Sequence, residues 1–200
     1  MNEGHEELCS SAEWAEYLAS DVLPRVLIGI DLGDHLIEVG PGFGLATDVL
    51  RTKVDRITAV EIDRGYAARL AARFADTDVE VVHADATAMQ FADDSFTSAA
   101  SFTMLHHVPT PKLQDVLFAE IARVLTPGGT FIGSDSLDGP GFRGFHEGDT
   151  CNPVTPEDLP GRLKAAGFVE VVVTARWEAQ AGDDEASGTM FFVARTGSMT

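Results

Sequence analysis

Three glycines at alternate positions directly after a short apolar run, Ile37-Glu38-Val39-Gly40-Pro41-Gly42-Phe43-Gly44, constrain this chain more than any other segment. A chain that leaves a strand and enters a helix at once must turn where side chains would collide, and residues without Cβ permit that turn. They also let the backbone approach a ligand closely. Glu61 ends the next apolar run. If residues 58–61 form the neighbouring parallel strand, its carboxylate stands at the carboxyl end of the sheet beside the turn, placed to accept hydrogen bonds from two ribose hydroxyls. The pattern points to a nucleoside-containing cofactor, and the plain alternative is a strand–helix junction with a solvated carboxylate.

The surrounding elements supply a context for that reading. Ser10 with Glu13 suggests a capping box for a helix over 11–19, with Trp14 and Leu18 on one side, serving either as a lid or as cover for the sheet. Residues 22–32 read as an apolar connection containing Pro24. Strands are expected at 35–39, 57–60, 79–83, 96–102 and 130–134, alternating with helices that begin at 45 and span 65–74 and 113–125. Thr155 as cap and Pro156 at the first helical position predict a helix running to Ala166 and stopping at Gly167. Strands at 169–174 and 190–195 follow, with 180–188 as a hairpin turn between them. The resulting expectation is a single α/β domain over 1–200, a doubly wound seven-stranded sheet that is mostly parallel with one antiparallel edge strand. Within it we distinguish a helical cap at 1–30, a cofactor-binding core at 35–135, an acceptor loop region at 134–154 and a terminal helix and hairpin at 155–200.

Charge narrows the partners. Fourteen Lys and Arg face 32 Asp and Glu, for a formal net charge of -18, and the basic residues are scattered rather than clustered. Such a chain repels phosphate backbones and anionic lipid, so neither nucleic acid nor membrane is expected as a partner. Two cysteines are too few for a disulfide framework, and the opening residues lack the positive region and apolar core of a signal peptide. A cytoplasmic protein, monomer or homodimer, is the expectation.

Spacing separates the nucleotide cofactors. A dinucleotide fingerprint counted from Gly40 requires glycine at 45, where Leu45 stands, and no Gly-Lys-Ser/Thr follows to cradle a triphosphate. The chain also lacks a Gly-x-Ser-x-Gly elbow and a His-Glu-x-x-His segment. An NAD-dependent oxidoreductase is therefore only the rival reading within catalysis.

Four motifs in order resemble the class I S-adenosylmethionine-dependent methyltransferases, in particular their small-molecule branch: Glu38 to Gly44, the acidic Glu61 in Ala59-Val60-Glu61-Ile62-Asp63, His83-Ala84-Asp85-Ala86, and Phe102-Thr103-Met104-Leu105-His106-His107-Val108 with Leu125-Thr126-Pro127-Gly128-Gly129 behind it. Together they cover about 35–135 and imply a Rossmann-like methyltransferase fold, S-adenosylmethionine as cofactor, and methyl transfer to a small-molecule acceptor. The resemblance implies that Glu38, Gly40, Gly42 and Gly44 form the turn beside the methionine moiety and that Glu61 binds the ribose. Asp85 would receive the adenine amino group, with Ile62 and Ala86 at the ring faces, and Phe102 and His107 would complete the wall. A non-catalytic protein that keeps the cofactor pocket is the alternative from a different class, because methyl transfer from a sulfonium requires positioning more than a particular side chain.

On the acceptor side, His106, His107 and His146 are the catalytic candidates, since imidazole can take a proton near neutrality. Asp135, Phe142, Arg143, Phe145 and His146 in the stretch 134–149 are expected to meet the acceptor, in a site open to solvent or closed by a second subunit. Acidic residues in the same stretch match no fixed metal spacing, so no metal is expected.

Overall fold

The computed structural model describes residues 2–178 and 187–198. The chain opens with helices α1 (Glu3–Cys9) and α2 (Ala12–Tyr17). Ser11, not Ser10, caps α2 by accepting from the Trp14 amide at 3.0 Å, because Ser10 closes α1 and its hydroxyl donates to the Glu7 carbonyl. A π-helical turn, Leu18–Val22, leads into α3 (Leu23–Leu27). The connection expected over 22–32 is thus helical in its first part. Pro24 lies in the first turn of α3, where its missing N–H costs nothing.

The core alternates β1 (His35–Val39), α4 (Leu45–Leu50), β2 (Arg56–Glu61), α5 (Arg64–Arg73), β3 (Val79–His83), β4 (Phe96–Phe102), α6 (Pro111–Val124) and β5 (Leu125–Ser136). Asp63 caps α5 through the Gly65 and Tyr66 amides, and Thr110 caps α6 ahead of Pro111. β5 is longer than its apolar run, since the Pro127-Gly128-Gly129 segment is drawn into it. A short helix α7 (Pro140–Phe145) occupies the stretch read as a loop, and α8 (Leu159–Ala165) follows a turn capped by the Thr155 hydroxyl. β6 (Phe168–Glu178) and β7 (Ser187–Thr196) finish the sheet; most of the hairpin turn expected at 180–188 lies outside the described residues.

The seven strands run in the order β3-β2-β1-β4-β5-β7-β6. Pairing is parallel from β3 to β5, and β7 is antiparallel to both of its neighbours. The expected antiparallel edge region is present, with the reversed strand β7 held one place in from the edge by β6.

Alternation along the strands sends neighbouring residues to opposite faces. Ile37, Phe131 and Phe192 pack on one face against Leu117, Phe118 and Ile121 of α6 and Leu159 and Leu163 of α8. Leu36, Ile132 and Phe191 pack on the other against α4, α5 and the amino-terminal Leu18, Val22, Leu23 and Val26. Each such buried side chain contributes roughly 1.5–3 kcal/mol. The amino-terminal helices therefore belong to the second core. The chain winds outward from β1 to β3, then returns to β4 and β5, and the crevice at this reversal, between β1 and β4, is where an open α/β sheet admits a ligand.

Candidate functional site

A cavity of about 470 Å³ opens at that reversal, lined by the ends of β1, β2 and β4, the segment after β3, and the amino-terminal helices. Its size suits a small organic cofactor. The turn after β1 is held at positive φ at Gly40, Gly42 and Gly44. At Gly44 an added Cβ would come within 2.7 Å of the Leu70 side chain and 2.8 Å of Phe74, so the turn packs tightly on α5 there and a side chain would force these neighbours to shift. At Gly42 an added Cβ meets nothing, and the open space is the cavity itself.

Below the turn, Glu38 is buried and accepts a 2.6 Å hydrogen bond from the Thr47 hydroxyl on α4. Burial pushes its carboxyl up to about 7. At the end of the neighbouring strand β2, Glu61 accepts from the Gly42 amide at 3.2 Å and the Asp63 amide at 2.8 Å, which ties the glycine turn to β2. Asp85 takes the Thr87 amide and hydroxyl on Oδ1 and lines the same cavity. Ile62 stands 66% exposed beside it, an apolar surface of the kind a purine ring covers. The donor set therefore fits a nucleoside: two carboxylates with spare lone pairs, an apolar wall and a bare backbone turn.

Of the residues singled out in the sequence, Glu38, Gly40, Gly42, Glu61, Ile62, Asp85, Ala86, Phe102 and His107 line this one cavity. Gly44 lies behind it as the turn's packing point. His106 and His146 adjoin it through a cluster of rings: His106 Nε2 and His146 Nε2 are 3.1 Å apart, and His106 and His107 have centroids 4.1 Å apart. His5, which the sequence did not single out, joins them, stacked on His107 and edge-on to His146. Burial, with the neighbouring imidazoles, holds His107 down at about 3 and His5 at about 4, and lowers His146.

Several acceptor-side expectations change. Asp135 is fully buried and bonded to His106 Nδ1 at 2.5 Å, so it backs the histidine rather than meeting a ligand. Arg143 is engaged with Asp138 on the surface. Phe145 packs on His5 and His146, and Phe142 on His106, because the α7 helix turns both rings onto the cluster and away from the cavity. Asp149 and Thr150, just beyond, do reach it. His5, Cys9, Trp14 and Leu18 of the amino-terminal segment form part of the cavity wall. Trp14 and Leu18 stand where a lid or cover was expected, whereas His5 and Cys9 lie on α1, which carries no motif.

Residues 37–133 match the family model described as a methyltransferase domain. The chain is 33% identical over 171 residues to a protein named probable ribosomal RNA small subunit methyltransferase A in Halobacterium salinarum, covering 80% of this chain and 54% of that relative. It thus spans about half the length of that curated relative. An uncharacterized methyltransferase of Mycobacterium tuberculosis is 30% identical over 95 residues, 48% of this chain and 47% of the relative. Among solved structures, the methyltransferase in complex with the Haloferax volcanii Trm112 methyltransferase activator superposes with a TM-score of 0.74 at 18% identity, covering 98% of this chain and 95% of that one. The [4+2]-cyclase SpnF gives 0.70 at 21% identity, covering 99% and 86%. At these identities the structures speak for the fold.

The ribosomal RNA relative overturns the expectation that nucleic acid is no partner. That expectation rested on net charge, which governs affinity for a phosphate backbone and says nothing of whether a base can enter a pocket. No helix among the described residues is long and apolar enough to cross a membrane.

Proposed function

Because residues 37–133 match a methyltransferase-domain model and the chain shares its fold with solved methyltransferases, we propose that this chain binds S-adenosylmethionine and transfers its methyl group to an acceptor entering beside His107. The observation that carries this reading is the convergence of the open Gly42 turn, Glu61 and Asp85 on one cavity. In this assignment the turn takes the methionine end, Glu61 the ribose hydroxyls and Asp85 the adenine amino group, with Ile62 and Ala86 at the ring.

The cofactor supplies an electrophilic methyl group, and the chain supplies alignment and dryness. The acceptor's electron pair forms the new bond to carbon while the carbon–sulfur pair leaves with sulfur. A proton lost by a hydroxyl or amine acceptor is taken at the imidazole cluster. His106 suits that role, since the Asp135 carboxylate at Nδ1 balances the charge that a proton on Nε2 would bring. His107, held low by burial, walls the methyl end, and His146 adjoins His106 at 3.1 Å.

Two acceptor classes have support. The apolar wall of Trp14, Leu18 and Leu113 favours a small molecule, as the sequence motifs suggested. The name of the Halobacterium salinarum relative favours a base in ribosomal RNA. Incubation with methyl-labelled S-adenosylmethionine and either small-subunit ribosomal RNA or a low-molecular-weight cell fraction separates them by where the label lands. Label in neither fraction above the protein-free control contradicts methyl transfer.

A further inference from the structure

We propose that His5, His106, His107 and His146 form a binding site for a divalent first-row transition-metal ion of the zinc type, at the edge of the cofactor cavity. One ring nitrogen from each of the four lies within 4.8 Å of the others. They arrive from α1, the turn after β4 and the end of α7, so no local repeat forces them together. His5, His106 and His146 are at most 4% exposed, while His107 is the least buried and lines the cavity.

Partners behind three of the rings, those of His5, His106 and His146, indicate which nitrogen points inward. His146 Nδ1 lies 2.8 Å from the Phe142 carbonyl, which can only accept, so this nitrogen carries the proton. His106 Nδ1 likewise donates to Asp135, and His5 Nδ1 faces Asp149 at 3.4 Å. With Nδ1 protonated on His106 and His146, two Nε2 lone pairs meet at 3.1 Å. Two lone pairs at that distance repel unless a proton or a cation lies between them.

A cation answers the same geometry with chemistry that suits it. Neutral imidazoles are ligands of zinc-type ions, with metal–nitrogen distances of about 2.0–2.1 Å that set nitrogens roughly 3.3 Å apart in a tetrahedron. The His106–His146 pair is already near that spacing, and the wider pairs would draw in. Carboxylates behind ligating histidines and a carbonyl behind another are the usual outer partners of such sites, and Asp135 and Asp149 bring negative charge to balance the ion. The acidic stretch that offered no metal spacing in the sequence thus serves behind the ligands.

The inference concerns metal binding and stands apart from the cofactor reading, so the two are measured side by side on untagged protein stripped with a chelator. Zn²⁺ is titrated against a chromogenic chelator and Co²⁺ binding is followed by its visible absorption, with S-adenosylhomocysteine titrated in parallel. The expected result is one ion per chain, affinity at least 10-fold weaker in His5→Ala, binding abolished in the His5→Ala/His146→Ala double variant, and no change in His35→Gln. Circular dichroism confirms that each variant is folded, and His5→Ala tests the site by altering only the amino-terminal helix. Failure of the folded, unsubstituted protein to bind either ion stoichiometrically, or binding that survives the double substitution, overturns the site. Ion binding without S-adenosylhomocysteine binding supports the metal site and counts against the cofactor reading alone.

Discussion

His106 and Asp135 are joined in the interior by a 2.5 Å hydrogen bond between Nδ1 and Oδ1, which fastens the turn after β4 to the end of β5. The same carboxylate accepts from the His106 amide at 3.1 Å and the Ser136 amide at 2.7 Å. Asp135→Asn replaces one accepting oxygen with a donor that faces N–H groups. It should lower the unfolding free energy by about 1–3 kcal/mol, and Asp135→Ala by about 3–5 kcal/mol. Urea denaturation checks both, and an unchanged midpoint in Asp135→Ala would mean the bond does not hold these strands together.

The glycine turn separates stability from binding. Gly44→Ala meets Leu70 and should lower the melting temperature sharply, whereas Gly42→Ala meets open space and carries only the left-handed backbone strain of about 1–2 kcal/mol. Its methyl group enters the cavity, so Gly42→Ala should lose more S-adenosylhomocysteine affinity than its stability loss suggests. Thermal melts with calorimetry on both variants test this, and equal loss in both properties would argue against a ligand above Gly42.

Glu61 both shapes the turn and faces the cavity. Glu61→Ala should weaken cofactor binding by about 1–3 kcal/mol, since the Gly42 and Asp63 amides lose their acceptor along with the ribose contact. Calorimetric affinity unchanged from the unsubstituted chain would remove Glu61 from the ribose site.

Glu38 gives a pH signature. Its carboxyl is raised to about 7 in the fold from an ordinary 4.5, so the folded chain keeps a proton that the unfolded chain releases. That stabilisation is fully present below about 4.5 and is lost as pH rises through about 7. Relative to Glu38→Gln, the unsubstituted protein should lose up to about 3 kcal/mol between pH 4.5 and 8. Parallel denaturation curves across that range would show no difference in slope if the carboxyl were already ionised in the fold.

The glycine turn and the carboxylate after β2 were readable because each is local: a strand end, a turn and a position. The parallel strands were readable for the same reason, as short apolar runs between turn residues. What escaped were features made by contact between distant segments. His5 reaches His107 only because α1 folds back over the cavity, and nothing in the sequence around His5 marks it. The π-helical turn at Leu18–Val22 arises where Leu18 and Val22 are buried against the sheet, a packing demand invisible to helical periodicity. Asp135 was read as facing a ligand because it follows a strand's carboxyl end, yet its place opposite His106 turns it inward.

Calorimetric titration of the purified chain with S-adenosylmethionine and S-adenosylhomocysteine, with a reduced nicotinamide cofactor as control, tests the central claim most directly. The account predicts saturable binding of both sulfur nucleosides at one site per chain and none of the nicotinamide. Silence toward both, from folded protein, would contradict it.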